Sequence, residues 1–503
     1  MRGKQREARR EGQGRKRKVL KNSISSLLIY AFLLLFSVVS SKFVLVSYGS
    51  ETNGLLSSVN QLFSYIALLE AGIGTSTISA LYRPMAENDE GATAEVLSSS
   101  RYYYRTTAKW YLACVLAVAF LWPLVIKSTI AYASIFLLIF LQGVSGVLTY
   151  WFTSAAVNYL VARGSNFVNN RVHLLATLTT YALKILICTV QADIVFISAA
   201  SIAVNALQCL IYYLYLRKNC PIYFVQKKPD KSLLKQRNSF LIHEISGVIF
   251  SSTDTIILSI FCGLTEASVY AVYSMVTNAL RTVIGQIFNG TNYVLGSSYA
   301  DPDVRYEVVH DRYNAVYQCL AFVVFTIAYY LILPFLTLYT AGITDADYLD
   351  VKLPILFVMI ELLSTCRAVD NQLVRISLHA KQTVNRAIIE AVINIVVSVT
   401  AVQFIGIYGV LLGTIAALLY RTNDFILYAN RKILKRSTKK EYILVLTNFA
   451  VFIGFVLLRE RIPIVPSSYL CLIVIAVPVS IAIAAVYAAI NYVLNRFVLG
   501  KMI

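Results

Sequence analysis

Residues 24–46 read ISSLLIYAFLLLFSVVSSKFVLV, and this stretch decides the class of structure. Lys42 is its one charged residue, and the stretch is long enough for a helix to cross the hydrocarbon core, which takes about 20 residues. Ten Lys and Arg residues precede it between Arg2 and Lys21. A secretory signal peptide has a shorter apolar segment followed by a cleavage site with small residues. We therefore interpret 24–46 as a retained transmembrane helix.

The rest of the chain repeats this pattern. Of its 503 residues, 58% are hydrophobic and 14% are charged, whereas a soluble domain carries about 25% charged residues. The sequence therefore predicts an all-α polytopic membrane protein with about 14 transmembrane helices. The fourteen predicted spans are 24–46, 55–80, 110–126, 131–160, 173–190, 194–216, 239–261, 267–297, 314–337, 353–379, 384–404, 407–429, 442–458 and 468–494.

The distribution of basic residues predicts the orientation. With the N-terminus in the cytoplasm, 35 of the 45 Lys and Arg residues fall in cytoplasmic segments and 5 in outer segments. This alternating bias follows the positive-inside rule, so we expect both termini in the cytoplasm of a bacterial inner membrane. The net charge of +19 comes from these short runs and favours contact with anionic lipid headgroups rather than with nucleic acid.

Several function classes lack their sequence signatures. The eight cysteines form no C-x-x-C pair, which disfavours structural zinc and redox chemistry. Neither G-x-x-x-x-G-K-[ST] nor H-E-x-x-H nor G-x-S-x-G occurs. We therefore expect no catalytic residue, metal site or cofactor. We interpret the chain as a transporter driven by an ion gradient (H⁺ or Na⁺) or by the gradient of its cargo.

Charged residues at membrane depth are costly and usually face a cavity or a partner. The tenth span carries Glu361, Arg367, Asp370 and Arg375. In a continuous helix, Arg367, Asn371 and Arg375 would share one face, and Asp370 could pair with Arg367. These residues could form a structural ion pair or line a cavity. We favour the cavity, because one aspartate cannot neutralise both arginines.

Other spans contain similar candidates. Arg281 and Asn278 lie on the eighth span, and Arg281 is a natural partner for Asp254 of the seventh span. Glu390 on the eleventh span is a candidate for an ion pair or for ion coupling. Glu70 on the second span precedes two glycines, so it could be a gate residue or lie in a close helix contact.

Two segments carry a family resemblance. Phe43–Ala86 reads FVLVSYGSETNGLLSSVNQLFSYIALLEAGIGTSTISALYRPMA, and Ser252–Gly296 reads STDTIILSIFCGLTEASVYAVYSMVTNALRTVIGQIFNGTNYVLG. Both resemble helix pairs of Wzx-type polysaccharide flippases in the multidrug/oligosaccharidyl-lipid/polysaccharide (MOP) exporter superfamily. They also resemble each other, because in each a helix ends near a glycine (Gly49, Gly263) and a polar turn follows. Since the copies lie six spans apart, they predict two parallel repeats.

The resemblance implies a domain organisation, a MATE-like fold with two six-helix lobes and two extra C-terminal helices. The expected parts are a basic tail (1–22), a first lobe (23–216), a basic connecting loop (217–238), a second lobe (239–429), a basic loop (430–441) and a C-terminal helix pair (442–503).

The resemblance also implies a function. Such proteins flip undecaprenyl-diphosphate-linked oligosaccharides to the outer leaflet, and a polysaccharide polymerase or export complex is an expected partner. Arginines suit a diphosphate because guanidinium groups bind phosphate oxygens in a bidentate way. A flippase for lipid II or a teichoic-acid precursor and a cation-coupled multidrug exporter remain alternatives within the superfamily. A membrane glycosyltransferase or polymerase and a non-transporting scaffold are alternatives from other classes.

Overall fold

The computed structural model describes residues 2–230, 233, 253–459, 461 and 464–498, with side chains described from Phe32 onward except at 287, 289–293, 380, 497 and 498. In this part of the chain all regular secondary structure is helical, and ten helices are long and apolar enough to cross a membrane. The prediction of an all-α polytopic membrane protein is confirmed. The ten helices are Phe32–Ala86, Glu90–Val125, Tyr132–Ala162, Asn166–Thr189, Val195–Asn219, Tyr306–Tyr339, Lys381–Ile405, Ile407–Ile433, Lys439–Arg459 and Tyr469–Arg496.

The first half of the molecule is residues 2–230. A 3₁₀ turn joins the first two of its helices, and a π-helical turn at Thr149–Thr153 joins the fourth and fifth. Its helices are α1 (Arg2–Ile66), α2 (Ile73–Ala86), α3 (Glu90–Val125), α4 (Tyr132–Leu148), α5 (Ser154–Ala162), α6 (Asn166–Thr189) and α7 (Val195–Asn219).

The second half is residues 253–433, and a C-terminal helix pair follows it. Its first helical segment is described from residue 253, so most of the predicted span 239–261 lies outside the described residues. The remaining helices are α8 (Leu264–Ala300), α9 (Tyr306–Tyr339), α10 (Leu353–Cys366), α11 (Ala368–Ile376), α12 (Val384–Ile405), α13 (Ile407–Tyr428), α14 (Lys439–Arg459) and α15 (Tyr469–Val493).

Two predicted spans have a different helical form from the one expected. The spans 24–46 and 55–80 are separate helical segments that meet at Gly49, where the backbone leaves helical geometry. The span 55–80 is not one helix, because the 3₁₀ turn at Ala67–Glu70 interrupts it before α2 begins. The span 353–379 is not one helix, because the chain breaks at Arg367 into α10 and α11. An i, i+4, i+8 pattern cannot show such a break, since it assumes an uninterrupted helix.

The two halves share a distinctive backbone junction. Gly49 has φ 80° and ψ 176°, and Gly263 has φ 97° and ψ 172°. Only glycine adopts this region of backbone conformation without strain. Each glycine joins a helix that ends there to a long helix that starts there. The repeat inferred from the two resembling segments thus appears in the backbone at the same position of each copy.

The halves contact each other where α1 crosses α8. A Cβ atom at Gly54 would lie 1.8 Å from the Leu264 carbonyl oxygen, so only a glycine permits this approach. One turn away, Asn53 Nδ2 donates a hydrogen bond of 2.8 Å to Ser268 Oγ. This crossing lies near Gly49 and Gly263. We call the side of the molecule where α3 and α14 begin the basic end. The side with Gly49 and Gly263 is called the opposite end.

The C-terminal pair packs on the outside of α9. Tyr487 of α15 bonds Thr326 of α9 at 3.0 Å between their hydroxyl oxygens. Tyr330 of α9 donates to the Phe455 carbonyl of α14 at 2.7 Å. Asn491 and Asn448 join α14 and α15 at 3.0 Å. These helices attach mainly through α9, and at the start of α15 the Tyr469 hydroxyl also accepts a hydrogen bond of 3.2 Å from Lys42 of α1.

Candidate functional site

A polar cavity of about 240 Å³ lies between the two halves. Each half supplies part of its wall, and the first half contributes uncharged polar groups only. Four of the residues singled out from the sequence line it: Asn278, Arg281, Asp254 and Glu361. The polar lining side chains are Ser57, Asn60 and Gln61 of α1, Asp254 and Thr255 of the segment 253–261, Ser274, Thr277, Asn278 and Arg281 of α8, Glu361 of α10 and Thr414 of α13.

Arg281 is the arginine that faces this cavity. Half of its side-chain surface is exposed, and its Nη1 lies 3.6 Å from Glu361 Oε1. Its Nη2 donates a hydrogen bond to Asn278 Oδ1 one turn earlier on α8. The expected pairing with Asp254 is wrong, because Glu361 of α10 projects toward Arg281 while Asp254 bonds other groups. A guanidinium has five N–H donors, so Arg281 retains donors for a bound ligand.

Asp254 lies in a buried polar group beside the cavity. Its Oδ2 accepts hydrogen bonds from Tyr270 at 2.9 Å and from Thr414 at 2.8 Å. Thr414 in turn accepts from Asn394 Nδ2 at 2.9 Å. Asp254 Oδ1 and Asn394 Oδ1 are buried without a hydrogen-bond partner among the described residues. Buried oxygens normally have a partner, so each of these two oxygens retains the capacity to accept a hydrogen bond or a cation.

A ladder of alternating charges crosses the second half between α10, α12 and α13. Glu390 pairs with Arg367 and lies 3.3 Å from Arg421 Nε. Arg421 also bonds Asp424 at 2.7 Å, and Asp424 pairs with Arg386. The expected Arg367–Asp370 pairing is wrong, and neither Arg367 nor Glu390 lines the 240 Å³ cavity. With three arginines and two carboxylates, the ladder keeps a net positive charge.

The helix break at Arg367 explains the other misplaced residues. Because α11 starts anew at Ala368, Arg375 and Asn371 do not continue a face of α10. Arg375 is exposed, Asn371 is half-buried, and neither lines the cavity. Asp370 is fully buried at the basic end, where its Oδ1 lies 3.1 Å from His310 Nε2 of α9.

The Asp370–His310 pair belongs to a buried cluster that sequence reasoning missed. Glu441 of α14 accepts hydrogen bonds from Asn314 at 2.8 Å and from Asn430 at 2.5 Å. Asn430 also accepts from Arg436 at 2.7 Å. These residues come from four separate segments of the chain, so no local spacing signals them. The one available signal was that His310 and Glu441 both lie at the predicted inner ends of spans.

Glu70 lies in the first half, away from the cavity. It ends the 3₁₀ turn after α1 and lies against Tyr150 of the π-helical turn. Nearby, a Cβ atom at Gly74 would lie 3.3 Å from the Asn158 side chain, so α2 packs closely on α5. Of the two interpretations offered for Glu70, this geometry favours the close helix contact over the gate.

At the opposite end, the loop between α9 and α10 bonds to the first half. Asp345 accepts hydrogen bonds from the Ser50 backbone N–H at 2.7 Å and from the Ser50 hydroxyl at 2.6 Å. Tyr348 bonds Ser50 Oγ at 2.7 Å and Ser268 Oγ at 2.8 Å. Together with Asn53, these residues form what we call the latch, which ties the first half to the second.

No family model and no curated protein matches the chain. Solved structures match over most of its length. An inward-facing multidrug-resistance MATE transporter of the MOP superfamily aligns with a TM-score of 0.68 and 15% identity, over 82% of this chain and 99% of that one. The lipid II flippase MurJ, inward closed, aligns with a TM-score of 0.66 and 12% identity, over 92% and 98%.

An outward-facing MATE transporter aligns less closely, with a TM-score of 0.57 and 16% identity, over 83% of this chain and 95% of that one. At these identities the comparison concerns the fold. The chain has the fold of the MATE and MurJ transporters of the MOP superfamily.

Proposed function

We propose that the protein is a flippase of the bacterial cytoplasmic membrane. Its cargo is an undecaprenyl-diphosphate-linked oligosaccharide for capsule, O-antigen or exopolysaccharide synthesis. The basic end faces the cytoplasm, as the Lys and Arg distribution favours, and the two halves act as the lobes. The transporter fold and the polar cavity between the halves support this proposal. In this orientation the latch lies on the outer side, and its contacts between the two halves support an inward-facing state.

The observation that carries the proposal is the position of Arg281. Its guanidinium opens into the cavity between the halves, with half of its side chain exposed there. Phosphate oxygens bind such a group in a bidentate way. The ladder, with its excess arginine, and the exposed Arg375 lie toward the basic end, where they attract an anionic cargo to the cytoplasmic side. The polyprenyl chain stays in lipid.

We propose further that Asp254 takes part in ion coupling. Its unpartnered oxygen and that of Asn394 could accept a proton or Na⁺, and Tyr270 links this site to α8, which carries Arg281. Binding of the ion would thus affect the position of α8, the helix that carries Arg281. Glu361 neutralises Arg281 when no cargo is present, and a diphosphate would replace it as partner.

A test uses the purified protein in liposomes that contain a fluorescent oligosaccharide on undecaprenyl diphosphate. We expect Arg281→Ala to slow flipping at least tenfold, since a charge-assisted hydrogen bond contributes about 1.5–3 kcal/mol. Arg281→Lys should recover part of the rate. Arg171→Ala, on α6 away from the cavity, is the control for loss of a basic residue. Flipping by Arg281→Ala at the unmodified rate would exclude the diphosphate site.

One observation favours a cation-coupled multidrug exporter as second candidate. The cavity holds two carboxylates, Asp254 and Glu361, which suit a cationic drug. Export of ethidium from the same liposomes, reduced by Glu361→Gln and unaffected by Arg281→Ala, would support that function over the first. Liposomes with lipid II in place of the oligosaccharide test the flippase alternative.

A further inference from the structure

A second, larger cavity lies on the outer side of the first half. It has a volume of about 620 Å³ and is enclosed by α3, the π-helical turn, α7 and the segment that follows α7. Its wall includes Arg101, Arg105, Lys109, Lys227, Trp151 and Tyr213. None of these residues lines the cavity between the halves. The proposed transport cycle therefore leaves this cavity without a role.

The charge of this cavity is one-sided. Four basic side chains line it, and the described residues of its wall include no carboxylate. Three of them, Arg101, Arg105 and Lys109, recur at every fourth position of α3 and so lie on one face. Arg105 and Lys109 form no salt bridge with any described residue. Such a cluster without an acidic partner attracts an anion.

Arg101 fixes the wall of the cavity. It donates a hydrogen bond of 2.9 Å to the Val225 carbonyl and another to the Tyr223 carbonyl. Ser98 accepts from the Lys227 backbone N–H at 3.0 Å, and Ser99 accepts from the Asp230 backbone N–H at 2.9 Å. The segment after α7 is thus pinned to α3. Arg105 and Lys109 remain available to a ligand within a preformed wall.

The depth of the cavity places it at the membrane surface. Lys109 is the last charged residue of α3 before the apolar run of residues 110–125, which at 1.5 Å per residue spans about 24 Å. Along this run Leu116 and Phe120, which lie on the same helix face as Lys109, are 37% and 55% exposed, so this face of α3 meets lipid. The cavity lies directly above that face, at the level of the headgroups.

The rim of the cavity has the character of a lipid interface. The Arg105 guanidinium lies 5.7 Å from the centre of the Trp151 ring. Phe152 and Tyr213 beside it are 55% and 46% exposed. Aromatic side chains of this kind concentrate at the boundary between headgroups and hydrocarbon. A ligand with a charged head and apolar tails matches both parts of the surface.

We propose that this cavity binds the phosphodiester headgroup of an anionic phospholipid. Arg105 and Lys109 bind the phosphate, and the acyl chains run down the exposed face of α3. In the orientation proposed above, the lipid belongs to the inner leaflet. The site does not involve the cargo, so this proposal can be tested independently of the flippase proposal.

Trp151 can report on this site. The chain has three tryptophans, so Trp110→Phe with Trp122→Phe leaves Trp151 as the one emitter. This variant is placed in phosphatidylcholine micelles and titrated with brominated phosphatidylglycerol or brominated phosphatidylcholine, which quench a nearby indole. We expect an at least five-fold preference for phosphatidylglycerol, because each basic residue near an anionic surface contributes about a five-fold gain. Arg105→Gln with Lys109→Gln should abolish it.

The matched control removes two basic residues elsewhere on the same end of the molecule. Arg83→Gln with Arg171→Gln has the same change in charge, and Arg171 lies over Phe167 at 5.4 Å much as Arg105 lies over Trp151. An equal loss of preference in this control would show general surface attraction and overturn the site. Competition by millimolar glycerol 3-phosphate as strong as by the lipid would indicate a free-phosphate site and also overturn it.

A second measurement avoids the tryptophan substitutions. Native mass spectrometry of the unmodified chain should show retained phosphatidylglycerol, and the Arg105→Gln, Lys109→Gln variant should retain less of it than the control variant. Equal retention by the two variants contradicts the proposal even if the single-tryptophan chain does not fold.

Discussion

In the first half, Glu70 lies within the second predicted span and Lys184 lies near the outer end of the fifth predicted span. The described part of the chain shows no ion pair for Lys184. In the second half, five charged side chains form a continuous ladder, and Asp254 and Glu361 border the cavity as well. The backbones of the halves nevertheless share the same glycine junction. The two halves thus share a repeated backbone fold, whereas the charged groups at membrane depth are concentrated in the second half.

The two halves contribute different chemical groups to the cavity. The first half supplies uncharged polar groups to the cavity, whereas every charged group in its described wall belongs to the second half. Since an ion or a diphosphate responds to charge, the second half is where binding would bias the conformation. The first half, joined through the latch and the α1–α8 crossing, would follow as a rigid partner.

The largest expected effect breaks the ladder. Arg421→Met should lower the free energy of unfolding by about 3 kcal/mol, because Glu390 and Asp424 lose a buried partner. Lys184→Met in the first half should leave stability unchanged or raise it slightly, since no described carboxylate pairs with Lys184. Thermal unfolding of the detergent-solubilised protein, followed with a thiol-reactive dye, measures both. Similar losses in the two variants would contradict the proposed asymmetry between the halves.

The helical spans could be predicted from the sequence because apolar length is a local property. The concentration of charge in spans seven to twelve was also visible there. The pairing partners of these charged residues could not be predicted from the sequence. Arg281 pairs with Glu361 and Asp370 with His310 because helices far apart in sequence meet in space. The helix is interrupted at Arg367, and nothing in the spacing of the residues after it indicates the interruption.

The second effect concerns the latch. Asp345→Asn removes the charge that accepts two hydrogen bonds from Ser50, and charge-assisted bonds contribute about 1.5–3 kcal/mol. We expect the inward-facing population to fall about tenfold. Disulfide formation between Asn53→Cys and Ser268→Cys, two positions in direct contact in the latch, measures that population.

Asp347→Asn is the control for the latch experiment. Asp347 carries the same charge in the same loop, but among the described residues its carboxylate bonds only the nearby Leu349 backbone N–H, at 3.0 Å. Crosslinking should therefore remain at the unmodified level in this variant. If Asp345→Asn also crosslinks at that level, the latch does not hold the two halves together.

The smallest expected effect is the difference in stability between alanine substitutions at the two glycine junctions. Alanine at Gly49 or Gly263 must adopt a backbone region that costs a non-glycine residue about 1–3 kcal/mol. The surroundings differ, because a Cβ atom at Gly49 would lie 2.9 Å from Asp345 Oδ2, while nothing lies within 4 Å of one at Gly263. Gly49→Ala should therefore be the more destabilising of the two in thermal unfolding, and only Gly49→Ala should also reduce the Asn53–Ser268 crosslink. Equal losses of stability with unchanged crosslinking would mean that the repeat is symmetric in energy as well as in backbone, and that the latch does not distinguish the halves.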